Sequence, residues 1–142
     1  MSPDVSLRLM NLDDLPFLLE IRNHSSTRSQ LENDKEFSLK ECQSWFKELP
    51  HPWFIIQDQS GNRIGYLRTK GDAIGVDIHP NHRRKGFAKA AFDNYLKDKK
   101  FACLEVFEDN FAINLYKKLG FKKKGKKKII RGRNYIYMEY KR

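Results

Sequence analysis

A basic segment with one glycine, between a predicted strand and a predicted helix, holds the clearest chemistry in this sequence. The run Val76-Asp77-Ile78 predicts the strand, and the helix follows Gly86. Backbone N–H groups at a helix start are unpaired and attract anions. Gly86 allows close backbone approach, and Ala88 keeps side chains away. Three preceding side chains add positive charge: Arg83, Arg84 and Lys85. The segment predicts a diphosphate site, although it is neither a GK[ST] P-loop nor G-x-G-x-x-G.

Two motifs together resemble one enzyme family. Arg83-x-x-Gly86-x-Ala88 resembles the acetyl-CoA pyrophosphate loop of GNAT acetyltransferases, [Q/R]-x-x-G-x-[G/A]. Residues 110–121, NFAINLYKKLGF, are similar to the family's second motif, N-x-x-A-I-x-L-Y-x-K-x-G-F. The interval from Asn110 to Tyr116 is one residue shorter than usual. Either Asp109 takes the Asn position, or the helix begins after a one-residue deletion.

The resemblance implies direct acetyl transfer from acetyl-CoA to a primary amine, with Tyr116 and Glu105 as the catalytic residues. Tyr116 would protonate the CoA thiolate, since phenol and thiol pKa values are close. Glu105 would accept the amine proton directly or through water, with Asp77 as the alternative base. His79 and His82 could relay protons. Their H-x-x-H spacing lacks a third ligand, so we expect no metal.

The same resemblance assigns the cofactor contacts. Val76, Ile78 and His79 would lie along the pantetheine arm, where strand amides bind it as an added strand would be bound. Backbone N–H groups from Arg84 to Ala88 would hold the pyrophosphate, and Lys118 or a neighbouring lysine would meet the 3′-phosphate. The full expected set is Val76, Ile78, His79, Arg83, Arg84, Lys85, Gly86, Phe87, Ala88, Asn110 and Lys118.

A narrower resemblance concerns the acceptor. Glu20-Ile21-Arg22-Asn23-His24, followed by Ser38-Leu39-Lys40-Glu41 and Trp45-Phe46, resembles a GNAT branch. This branch contains ribosomal-protein N-terminal acetyltransferases and enzymes that acetylate UDP-linked 4-amino sugars. It implies an acceptor site walled by residues 22–36 and by the strand of Tyr135 and Tyr137. A nucleotide-linked amino sugar is the first expectation. The acidic cluster Glu32, Asp34 and Glu36 keeps a cationic peptide, acetylated at its N-terminus or a lysine, as the alternative.

Hydrophobic periodicity predicts the elements that position these residues. Helices are expected from Asp13 or Asp14 to Asn23, from Ser38 to Leu49, from Gly86 to Asp98 and from Phe111 to Leu119, with a loop over residues 24–37. Strands are expected at 5–11, 53–58, 63–69, 73–79 and 102–107, with two more after Gly120 and Arg131-Gly132-Arg133 at their turn. The order β-α-α-β-β-β-α-β-α-β-β predicts one α+β domain over residues 1–142: the GNAT fold, with a mixed sheet of about seven strands and about four helices on both faces.

The charge of this 142-residue chain is concentrated at its C-terminal end. The formal net charge is +10, yet residues 117–142 hold 12 Lys and Arg against Glu139 alone. Such a segment favours an anionic partner or serves solubility. A nucleic-acid-binding module that uses this hairpin is the non-enzymatic alternative. Apolar runs are too short to cross a bilayer, and no secretory leader is evident, so we expect a cytoplasmic protein. The two cysteines suggest a reduced compartment, with Cys103 packed in the core and a homodimer allowed.

Overall fold

A seven-stranded mixed sheet, described over residues 3–142 in a computed structural model, organises the protein. Its spatial order is β1-β2-β3-β4-β5-β7-β6. Only the β4–β5 pair is parallel among these neighbours. The strands are β1 Ser6–Leu9, β2 Phe54–Gln57, β3 Arg63–Lys70, β4 Ala73–Ile78, β5 Phe101–Phe107, β6 Lys122–Ile130 and β7 Arg133–Lys141. The expected α+β class and strand number are confirmed.

Five α-helices are present in the described part of the chain, rather than about four. They are α1 Leu15–Arg22, α2 Ser25–Arg28, α3 Leu39–Lys47, α4 Phe87–Leu96 and α5 Ile113–Leu119. The extra helix, α2, lies within residues 24–37, where a loop was expected. The His24 side chain caps it by accepting a hydrogen bond from the Ser26 N–H. A histidine N-cap lies outside the usual Ser, Thr, Asp and Asn set, which is why the sequence pattern missed it.

Local side-chain bonds explain where the helices begin and end. Ser38 and Glu41 form the predicted capping box of α3. α5 begins at Ile113 and not at Phe111, and the Asn110 side chain accepts a hydrogen bond from the N–H of Ala112, the residue before the helix. Gly120 ends that helix with φ of 106°, as predicted for a C′ glycine.

Helices cover both faces of the sheet. α1 and α3 pack on β2 and β3 through a buried cluster that includes Leu15, Leu18, Ile55 and Tyr66. On the opposite face, α4 and α5 cover β5 and β7 through a second cluster, which contains Phe92, Leu104, Tyr116, Phe121, Ile136 and Met138. Cys103 belongs to neither cluster and is only partly buried, so the expectation that it packs in the core is wrong. The reason is strand alternation, which turns Cys103 away from the face that carries Leu104.

A gap between β4 and β5 is the feature that positions the site. The two parallel strands pair only at Ala73 and Cys103. β3 follows β4 from Lys70 to Gly65, and β7 follows the whole of β5. Beyond Ala73, therefore, the backbone N–H and C=O groups on the β5 side of β4 lack a strand partner. Such an edge can bind an extended ligand as another strand would bind.

Candidate active site

A cavity of about 750 Å³ opens at the gap between β4 and β5. Its walls come from α2 and the following loop, from β3, β4 and β5, and from the start of α5. The lining residues are Ser26, Thr27, Ser29, Gln30, Leu31, Arg68, Val76, Asp77, Ile78, Arg83, Arg84, Glu105, Val106, Asn110, Phe111, Ala112 and Tyr116. The cavity is large enough for a small-molecule site.

Both residues expected to be catalytic line this cavity and reach it from opposite faces of the sheet. Tyr116 belongs to the cluster beneath α4 and α5, whereas Glu105 lies on the other face of β5. Burial raises the pKa of Tyr116 to about 12, so the phenol keeps its proton at neutral pH. Glu105 is 39% exposed, and its Oε2 lies 3.3 Å from the Nζ of Lys128. A proton donor and a carboxylate acceptor thus face one space.

Asp77, the alternative base, shares the side of the sheet on which Glu105 lies. Residues paired across parallel strands point the same way, so the Ala73–Cys103 pair places Asp77 and Glu105 on one face. The Asp77 carboxylate is 12% exposed, and its Oδ2 lies 2.9 Å from the Nε of Arg68. Asp77 is thus paired with an arginine of the neighbouring strand, whereas the more exposed Glu105 is paired with Lys128.

The loop before α4 has the geometry of a diphosphate site. Arg84 and Gly86 have φ of 64° and 84°, and Gly86 is the N-cap of the ten-residue α4. Among residues 3–142, no side chain caps this helix start, so its first N–H groups and the positive end of its dipole are available to an anion. The loop and the adjoining β4 edge therefore fit a phosphorylated, extended cofactor.

The Arg83 side chain is occupied by the protein itself. Its Nε donates to the Ile78 carbonyl at 3.0 Å, and its Nη2 donates to the Thr27 hydroxyl at 2.8 Å. Its Nη1 also donates to the Ser26 hydroxyl. Arg83 thus joins the diphosphate loop to α2, and these bonds engage the guanidinium that was expected to add charge for the cofactor.

The turn between β6 and β7 holds the loop that follows α2. Arg131 donates to the carbonyls of Leu31 and Glu32 at 2.7 and 2.8 Å. Arg133 donates to the Ser29 carbonyl and forms an ion pair with Asp109. The described residues 29–31 therefore form a wall of the cavity that is tied to the hairpin.

A protein-family comparison matches this chain over residues 50–123, about half of its length, to the acetyltransferase (GNAT) domain. The matched part contains the diphosphate loop, the β4–β5 gap and Tyr116. The chain belongs to the GNAT acetyltransferase family. It is an N-acetyltransferase that uses acetyl-CoA.

Solved structures of N-acetyltransferases share the fold of this GNAT protein. Spermidine N-acetyltransferase from Vibrio cholerae, in complex with CoA and spermine, matches with a TM-score of 0.83 and 22% identity, over 97% of this chain and 95% of that one. A putative phosphinothricin N-acetyltransferase matches with a TM-score of 0.78 and 17% identity, over 97% and 98% of the two chains. An N-acetyltransferase from Staphylococcus aureus Mu50 matches with a TM-score of 0.75 and 19% identity, over 97% and 98%. No curated protein matches the sequence.

The expected cofactor residues of this GNAT protein divide into two groups. Val76, Ile78, Arg83, Arg84 and Asn110 line the cavity. Asn110 lines the cavity, whereas Asp109 forms an ion pair with Arg133.

The other expected residues lie away from the cavity lining. His79 stacks on Phe17 with a centroid distance of 5.8 Å, and its Nε2 lies 3.4 Å from Glu20 Oε2. Lys85 and Lys118 are exposed, while Phe87 and Ala88, in the first turn of α4, pack against a buried cluster of Ile56, Ile64, Ile78 and Ala91. For Gly86 to Ala88, the backbone is the part expected to bind.

Several residues of the GNAT protein that were expected to wall the acceptor site contact other parts of the protein instead. Arg22 and Asn23 brace the loop over residues 33–37, with the Asn23 side chain bonded to both backbone groups of Phe37. Tyr135 is buried against Phe107, and Tyr137 donates to Glu139. Asp34 and Glu36 form ion pairs with Arg131 and Arg28, which leaves them less available to a cationic peptide.

Sequence reasoning missed Arg68 and the short helix α2. Arg68 lies opposite Gly75 across β3 and β4, and this register is a tertiary property. A Cβ on Gly75 would lie 2.3 Å from Arg68 Nη2, so the missing side chain makes room for the guanidinium. The sequence shows an arginine in one predicted strand and a glycine in the next, but only the register of β3 and β4 shows that the two residues are paired.

Within residues 3–142, no cluster of three or more His, Cys, Asp or Glu side chains could hold a metal ion. Over the same part of the chain, no helix has the length and apolar character needed to cross a membrane.

Proposed function

We propose that this protein transfers the acetyl group of acetyl-CoA directly to the primary amine of a small molecule that carries a negative charge. One observation carries the proposal: a proton donor, Tyr116, and a carboxylate, Glu105, face one cavity from opposite sides of the open β4 edge. Direct transfer needs no protein nucleophile, so neither Cys42 nor Cys103 has a role in it.

The residues have distinct tasks in the proposed reaction. Acetyl-CoA supplies the activated thioester; the β4 edge at Val76 and Ile78 holds its extended arm, and the backbone around Arg84 to Ala88 holds its phosphates. Holding both reactants together removes much of the entropic barrier. Glu105 takes the proton from the attacking amine, directly or through water, and Tyr116 gives a proton to the leaving sulfur.

The walls of the cavity favour a small acceptor. Residues 29–31 are tied to the β6–β7 turn by Arg131 and Arg133, which narrows the space available to a polypeptide. Three arginines and two carboxylates line the cavity, so a negative charge on the acceptor is favoured over several positive ones. Structural neighbours named for spermidine and phosphinothricin acetylation also act on small amines. A nucleotide-linked amino sugar is one such anionic acceptor, and an amino acid is another.

The experiment measures CoA thiol release with purified protein, acetyl-CoA and panels of amino acids, nucleotide-linked amino sugars, polyamines and peptides. We expect activity with at least one anionic small amine. Y116F and E105Q should each lower kcat by about 100-fold or more, the usual range for losing a general acid or base.

The control variant is E108Q, because Glu108 lies just beyond the end of β5 and pairs with Lys123 on the surface. Its activity should stay near that of the unmodified protein. Activity confined to peptides would favour the protein acetyltransferase alternative. Loss of all acetylation despite acetyl-CoA binding would refute the proposal, and salt-sensitive nucleic-acid binding would then favour the β6–β7 hairpin as a binding module.

The proposal also covers the cellular compartment and the oligomeric state of the enzyme. Cys42 and Cys103 are both free thiols, which suits a reducing cytoplasm. A homodimer is compatible with the proposal, and sedimentation analysis of the purified protein with and without acetyl-CoA tests it.

A further inference from the structure

Three buried polar atoms on β3 and β4, two of them in residues that line the cavity, have no hydrogen-bond partner among residues 3–142. They are the Tyr66 hydroxyl, Arg68 Nε and Asp77 Oδ2. The last two are 2.9 Å apart, close enough for an ion pair, but they are not aligned for a hydrogen bond. Buried polar groups in proteins are nearly always bonded, so an ion pair on two residues that line the cavity marks a polar part of its wall.

Arg68 presents the rest of its guanidinium to the cavity. Its side chain crosses β4 above Gly75, in the space that the Cβ of any other residue would take. It lies deep between strands, yet 35% of its surface remains exposed because it lines the cavity. Within the described chain, its side chain makes no hydrogen bond and one ion pair, with Asp77. The outer N–H groups are thus free to form the paired donor arrangement that suits a carboxylate.

The adjacent charges of Arg68 and Asp77 define the shape of a complementary ligand. A ligand that satisfies both must place a negative group near the guanidinium and a positive group near the carboxylate. Because the protein charges are 2.9 Å apart, the ligand charges must also be only a few bonds apart. A polyamine has no negative group. The phosphates of a nucleotide-linked sugar are many bonds from its amine.

We propose that Arg68 and Asp77 form the acceptor subsite, and that the acceptor is an amino acid or a similar molecule with its amine beside a carboxylate. This inference rests on the proposed function and narrows the acceptor within it. The carboxylate binds the outer N–H groups of Arg68, and the ammonium first meets Asp77. The amine then lies on the side of the sheet where Glu105 is found, ready to lose its proton to that residue. Arg68 is therefore the residue that determines acceptor specificity.

The experiment compares kcat/KM for matched acceptors: the common amino acids, their carboxamides and the corresponding amines without a carboxyl group. The unmodified protein should prefer the acid over its amide by about 10- to 100-fold, the value of one charged hydrogen-bond pair. R68Q should remove this preference by lowering kcat/KM for the acid and leaving that for the amide nearly unchanged. R68K should restore part of it, because lysine keeps the charge without the paired donors.

Two controls separate specificity from folding. K70Q changes an exposed lysine on the same strand and should preserve the preference for the acid. The R68Q/D77N double variant avoids leaving Asp77 buried without its partner, and stabilisation by acetyl-CoA reports that each variant is folded.

Two kinds of result would count against these proposals in different ways. An unchanged acid-to-amide ratio in folded R68Q, or acetylation of polyamines or nucleotide-linked sugars but not amino acids, would overturn the subsite. Binding of acetyl-CoA without acetylation of any amine would instead refute the proposed function itself.

Discussion

The protonation of Tyr116 yields a prediction at the scale of one residue. Only the protonated phenol can donate to the leaving sulfur, and burial raises its pKa to about 12. A raised pKa moves loss of the proton to higher pH. Tyr116 should therefore cause no fall of kcat between about pH 8 and 10, where an ordinary tyrosine would begin to ionise. A pH profile of kcat, measured with saturating substrates, checks this.

Y116F is the matching variant for that profile. Because it has no proton to donate, its kcat should be lower at every pH, with the profile keeping its shape below about pH 10. A fall of kcat near pH 10 in the unmodified protein that disappears in Y116F would contradict the raised pKa.

The contact between the diphosphate loop and α2 yields a prediction at the scale of elements. Arg83 bonds to Ser26 and Thr27, so ordering of the loop by acetyl-CoA should also order α2. Hydrogen exchange of residues 25–31 should slow when acetyl-CoA is added, and R83M should abolish this response. In R83M, the KM for the acceptor should rise by about 10-fold, because the charged hydrogen bonds from Arg83 to α2 are lost.

R84M provides the contrast, because Arg84 lines the cavity while the arginine bonds to α2 in the described chain come from Arg83. It should weaken acetyl-CoA binding and yet retain slower exchange of α2 once the cofactor saturates the site. Equal responses in R83M and R84M would show that Arg83 does not couple the two elements.

Stabilisation by acetyl-CoA is a prediction for the whole molecule. At about 100 times its dissociation constant, the cofactor should raise the free energy of unfolding by about 2.7 kcal/mol, which is several degrees in Tm. The increase should survive moderate salt, because we propose that backbone N–H groups, rather than the exposed lysines of β6, hold the phosphates. Thermal unfolding at two salt concentrations measures it.

Two glycine variants test the location of this effect. Gly86 and Gly71 have φ of 84° and 62°, so alanine strains the backbone at both. G86A should lower Tm and reduce the acetyl-CoA shift. G71A, in a remote turn with open space around it, should lower Tm but keep the shift. A full shift in G86A would argue against the loop as the phosphate site.

Much of the fold and part of the site could be predicted from sequence, because they depend on neighbouring residues. Alternation and helical periodicity located the elements, and the capping box at Ser38 and Glu41 and the glycine at position 120 marked helix ends. The family resemblance pointed to Tyr116 and Glu105, and both of these residues line one cavity. These features need only local spacing and a known chain order.

By itself, therefore, the sequence determined the α+β fold, the acetyltransferase family, the cofactor and the expected acid and base. The tertiary structure alone decided which groups meet across long intervals of chain. In the folded chain, His79 stacks on Phe17, and Arg131 donates a hydrogen bond to a carbonyl 100 residues away. Arg68 lies over Gly75 and forms an ion pair with Asp77. The physical reason is that strand register and loop contacts depend on packing of the whole molecule. The proposed acceptor subsite depends on those contacts, whereas the proposed phosphate site depends on a local motif.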